Sequence, residues 1–81
     1  MIELVITFHT HFGAMKLYKS LKKQGELVRM VPVPRALSSD CGSCVRLSLD
    51  AQPKALSYLS EDAEAVYLDS GSGFELMARA E

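Results

Sequence analysis

The stretch Ile2 to Phe8, "IELVITF", constrains this chain most. It is too short for a helix that stands alone. It is also rich in the β-branched and aromatic side chains that suit a pleated surface, so it reads as a buried strand. A lone strand is not stable, and the rest of the chain is read for its partners.

The pattern changes from Phe12 to Gln24. Ala14, Leu17, Tyr18 and Leu21 recur at helical spacing with Met15 beside them, and Lys16, Lys19, Lys22 and Lys23 take the other positions. Gly25 is a good C-terminal stop, and the late lysines suit the negative end of the helix dipole. Leu27 to Val33 reads as a second strand. Pro32 cannot donate to a ladder, so that strand lies at a sheet edge or ends there. Residues 34 to 43 form a loop longer than a tight hairpin needs. In Cys44 to Leu49, Val45, Leu47 and Leu49 alternate with Arg46 and Ser48, a half-buried strand. Asp50 suits an N-cap and Pro53 a first turn, with Ala55, Leu56 and Leu59 giving a short second helix. A fourth strand starts near Ala65 and includes Val66 to Leu68.

The order β-α-β-β-α-β is the split βαβ pattern of ferredoxin-like domains. The expectation is an α+β two-layer sandwich, with a four-stranded antiparallel sheet and two helices on one face. An open sheet with the same elements wound differently is the alternative. Residues 1–73 form this domain, and 74–81, "FELMARAE", are a tail that is a helical turn, a docked extension or disordered.

A length of 81 residues means one domain, near the lower limit for an unaided core. The formal charge of -1 argues against broad phosphate-backbone binding, so the lysines read as a solvated helix face and no nucleic-acid partner is expected. No apolar run has the length of a membrane span, and the start, with Glu3 inside its apolar stretch, does not read as a signal peptide. The expected compartment is the cytoplasm, where thiols stay reduced. No carboxylate pair, phosphate loop or nucleophile–base triad stands at recognisable spacing, so hydrolase or kinase chemistry finds no support.

The chemistry concentrates in "PVPRALSSDCGSCVRL", residues 32–47. Cys41 and Cys44 could close only a small loop, so a structural disulfide would stabilise little. Redox, sulfur or metal chemistry is the stronger reading. If strand 1 runs up, the strand 1–helix 1 turn "HTHFG" and the cysteine loop share one end of the sheet. His9, His11 and the helix N-terminus then lie near the thiols, a setting that favours an anion. Arg35 and Arg46 would add positive charge to a thiolate, Gly42 would allow a tight turn after Cys41, and Pro32 and Pro34 would stiffen the approach.

These residues closely resemble the signature of the selenium/sulfur (Se/S) carrier protein-like family, formerly a domain of unknown function. The pattern is a strand ending in "PVPR", a Ser-rich turn, Cys-Gly and a strand beginning near a basic residue. "VYLDSGSGF" resembles the family's late stretch. The resemblance implies a ferredoxin-like fold and a cysteine-bound persulfide or selenosulfide. By that match Cys41 carries the sulfur, Arg35 is the arginine before the loop, and Ser38 and Ser39 are its polar turn. Cys44 stands where the family often has a small or apolar residue; from its own thiol chemistry it reads as a resolving or second thiol, with Arg46 beside it. The expected partners are a donor such as a cysteine desulfurase-type enzyme and an acceptor protein. The chain is then a carrier rather than a stand-alone enzyme, with no cofactor.

Two other readings stay open. Cys41, Cys44, His9 and His11 supply the ligand types of a tetrahedral zinc site, though the histidine spacing is not that of a finger. A non-catalytic ligand or interaction domain could instead use edge strand 2, including for a homodimer, with Arg29, Arg35 and Arg46 binding an anion. The bland reading of the cysteines is two small apolar residues at a strand end.

Overall fold

The computed structural model describes residues 2–37, 42–49 and 62–80. The described elements, in chain order, are β1 (Ile2–Phe8), α1 (His11–Lys23), β2 (Leu27–Pro32), β3 (Ser43–Leu49), β4 (Ala63–Asp69) and β5 (Phe74–Arg79). The strands form one antiparallel sheet ordered β2-β3-β1-β4-β5.

The apolar run that opens the chain is its central strand. Leu4, Val5, Ile6, Thr7 and Phe8 are all buried, so β1 is withdrawn from solvent on both faces. Alternation then sorts its neighbours. Leu4, Ile6 and Phe8 share one face with Val45, Leu47, Val66, Ala63 and Ala78, and Ala14 and Leu21 of α1 pack on that face. The opposite face carries the row Val31–Cys44–Thr7–Ala65–Arg79 across all five strands. The next rows hold Arg29, Arg46, Val5 and Tyr67, then Ser48, Glu3 and Asp69.

Helix α1 has a definite start and stop. Thr10 is its N-cap, in extended backbone, and its hydroxyl accepts from the Gly13 N–H at 3.1 Å. At the other end Gly25 adopts φ +86°, Glu26 N–H donates to Leu21 O and Gly25 N–H to Lys22 O, a Schellman stop that glycine makes strain-free. The helix therefore begins at His11, one residue earlier than its apolar spacing indicates.

β1, α1 and β2 form the split unit expected, with β3 inserted between the two parallel strands. Pro32 ends β2 at the sheet edge, where its missing N–H costs no ladder bond. One correction follows. The sheet has five strands, not four, because Phe74–Arg79 pairs with β4 as an outer strand. The second sheet edge is therefore β5. The turn "DSGSG" makes this hairpin: Asp69 Oδ1 accepts from Gly71 N–H at 2.9 Å, and Ser70 N–H donates to Gly73 O at 3.0 Å. The expected second helix, Pro53 to Leu59, and its Asp50 cap lie outside the described residues, so one helix is described. No helix among the described residues is long and apolar enough to cross a membrane.

Candidate functional site

The register sets what stands near the cysteine loop. Val31 pairs with Cys44, Cys44 with Thr7, and Thr7 with Ala65. The ends of β1 and β2 and the starts of β3 and β4 therefore meet at one end of the sheet. The β1–α1 turn and the β2–β3 loop share that end, as the topology predicts.

The loop is tied at its base. Val33 N–H donates to Gly42 O at 3.1 Å, and Leu37 N–H closes a turn onto Pro34 O at 3.0 Å. Gly42 has φ +76°, the left-handed conformation that glycine adopts without a Cβ penalty. A glycine is therefore suited to the position after Cys41. Arg35 is exposed in the turn and makes no ion pair among the described residues. Cys41, Ser38 and Ser39 lie outside the described residues.

Cys44 differs from a displayed thiol. It is 0% exposed, on the sheet face away from α1, and its Sγ–H donates to Pro32 O at 3.8 Å. A thiol so placed packs the start of β3 against the end of β2 and is withheld from solvent reagents.

Arg46 is one turn of the pleat further on, on the same face, but its guanidinium is engaged elsewhere. Nη1 donates to Glu3 Oε2 at 3.2 Å and to Asp69 Oδ2 at 2.9 Å, and Nη2 donates to Asp69 Oδ2 at 2.8 Å. Ser48 donates to the other Glu3 oxygen at 2.8 Å. Glu3 and Asp69 are opposite each other on neighbouring strands. Arg46 holds together two like charges that would otherwise repel, and it fixes β3, β1 and β4 in register. Where the sequence expects Arg46 beside a thiolate, the structure has it on two carboxylates.

The helix N-terminus is also occupied. Thr10 Oγ1 donates to Asp62 Oδ2 at 3.2 Å, and His9 N–H donates to Asp62 O at 2.8 Å. Asp62 thus brings a carboxylate to the positive end of the dipole, where an anion from the cysteine loop was expected. Asp62 comes so near that a Cβ on Gly13 would collide with the Asp62 Cβ. Neither Asp62 nor Thr10 is apparent from cysteine-centred reasoning. The signal available was the Thr three residues before Gly13, a capping pattern.

The histidines are engaged with or open to other surroundings. His9 is about half exposed with Nδ1 3.8 Å from Glu64 Oε2, and His11 is an exposed first residue of α1. Among the described residues no three of His, Cys, Asp and Glu are grouped to hold a metal ion. Of the four zinc ligands considered, Cys44, His9 and His11 are therefore not so grouped, and Cys41 lies outside the described residues.

A domain of this kind, a small antiparallel α+β unit with a cysteine loop at one end of its sheet, matches a known family. The family model described as "Putative Se/S carrier protein-like" matches residues 3–67. The chain belongs to that family. The match includes the cysteine loop and stops before β5. Neither the curated proteins nor the solved structures give a match.

Proposed function

We propose that the protein carries sulfur or selenium as a persulfide or selenosulfide on Cys41 and passes it to an acceptor protein. Membership of the Se/S carrier protein-like family is the observation that carries this reading. The loop's frame supports it: a closed base, a left-handed glycine after Cys41 and an exposed arginine without an ion pair among the described residues. The strand order β2-β3-β1-β4 supports the ferredoxin-like frame, with β5 as an added edge strand.

The chemistry is an exchange with no net oxidation. The Cys41 thiolate attacks the terminal sulfur of a donor's cysteine persulfide. The new S–S bond forms as the donor's breaks, and the donor thiolate leaves. An acceptor thiolate then attacks the sulfur held on Cys41 in the same way. Arg35, rather than Arg46, is the cation available to the persulfide charge, with Ser38 and Ser39 as donors in the turn. Cys44 supports the loop's base, and a resolving role would require the start of β3 to open. A desulfurase-type enzyme suits the donor side, and the β2 edge suits a second copy of the chain.

Intact mass spectrometry after incubation with a desulfurase and cysteine tests this. A reductant-sensitive gain of one sulfur, absent from Cys41→Ser and present in Cys44→Ala, is expected. Full loading of Cys41→Ser would overturn the assignment, and a native mass raised by zinc without a sulfur adduct would favour a metal module instead.

A further inference from the structure

A second site lies one strand away from Cys44, where the carrier reading uses nothing. An open pocket of about 280 Å³ is lined by Thr7, His9, Glu64, Ala65, Tyr67 and Arg79. Thr7 and Ala65 are buried and small, so they form its base. Arg79 pairs with Ala65 across the β4–β5 ladder, and Ala80 N–H donates to Glu64 O at 2.9 Å, which holds β5 against this rim. The pocket thus needs β5, which lies beyond the residues that match the family.

Its charges are unequal in what they already satisfy. Glu64 has His9 3.8 Å away. Arg79 makes no ion pair among the described residues. An arginine fork beside a polar, partly enclosed space is suited to planar bidentate recognition of a carboxylate. Tyr67 and His9 bring further hydrogen-bonding groups to the same space. The Glu64 carboxylate limits the anion, because its charge disfavours a doubly charged guest more than a singly charged one.

We propose that this pocket binds a small, singly charged carboxylate, with Arg79 as the anchor and Glu64 as the residue that selects against divalent anions. The inference is independent of Cys41. Arg79 is an exposed side chain of an edge strand, so its replacement leaves the ladder in place.

Titration of the isotopically labelled full chain with acetate and, separately, sulfate, in phosphate-free low-salt buffer, tests it by NMR. Acetate is expected to give saturable shifts at the Arg79 side chain and the Thr7 and Ala65 amides, at lower concentration than sulfate. Arg79→Gln should weaken acetate binding by about tenfold or more, the loss expected for one charge-assisted bond. Glu64→Gln should bring sulfate to parity with acetate. Shifts that do not saturate, that survive Arg79→Gln, or that are equal for sulfate and acetate in the unaltered chain would overturn the proposal.

Discussion

Replacing Arg46 by methionine separates the two roles open to this arginine. Methionine keeps much of the aliphatic stem and removes the charge. The loss comprises three contacts of 3.2, 2.9 and 2.8 Å to two carboxylates. A fully buried bond to a charged group contributes about 1.5–3 kcal/mol, whereas a fully exposed ion pair contributes about 0–1. The Arg46 side chain is 19% exposed and those of Glu3 and Asp69 are 35% and 22%, so each carboxylate is assigned about 1 kcal/mol. The unmasked repulsion between the opposed Glu3 and Asp69 adds a further fraction. The sum is about 2–3 kcal/mol, or roughly 10–20 °C in Tm for a domain of this size. Thermal unfolding followed by circular dichroism reads it, and Arg46→Met with Asp69→Asn should recover part of the loss. Sulfur loading on Cys41, measured well below the variant's Tm, should be unchanged. An unchanged Tm with lost loading would refute the reasoning and return Arg46 to the thiol.

Gly13→Ala gains up to about 1 kcal/mol of helix propensity but sets a Cβ against Asp62, at a cost of about 1–3 kcal/mol. Because the bonds from His9 and Thr10 hold Asp62 in place, net destabilisation by about 1 kcal/mol is expected in a urea melt, and a stabilised variant would contradict the packing. Cys44 should resist alkylation in the folded chain and react once it is unfolded in urea; rapid native labelling at Cys44 would show that β3 opens. Gly42→Ala forces a Cβ into left-handed backbone and should destabilise by about 1 kcal/mol, measured by the same melt.

Much of the frame is legible in the chain because its signals are local. The apolar run at β1, the spacing of Ala14, Leu17, Tyr18 and Leu21, the stop at Gly25 and the edge position of Pro32 all depend on nearby residues. β5 is not legible in that way. "FELMAR" contains good helix formers, and it becomes a strand because β4 offers an open edge and the "DSGSG" turn returns the chain to it. The site divides similarly. Gly42 beside Cys41 announces its own conformation. Arg46 is two residues from Cys44 in sequence, yet its partners come from β1 and β4, and only the register discloses them. Cys44 falls on the face that alternation marks as outward. On β3, between β2 and β1, the thiol is nevertheless 0% exposed, so alternation alone overstates its exposure.

The central claim is that Cys41 carries the transferred atom, and peptide-level mass spectrometry of the loaded protein tests it most directly. The chain is loaded from a desulfurase, alkylated while native and digested, and the added sulfur is located. The account predicts the adduct on Cys41, with Cys44 unmodified. An adduct on Cys44, or one equally divided between the two cysteines, would contradict it.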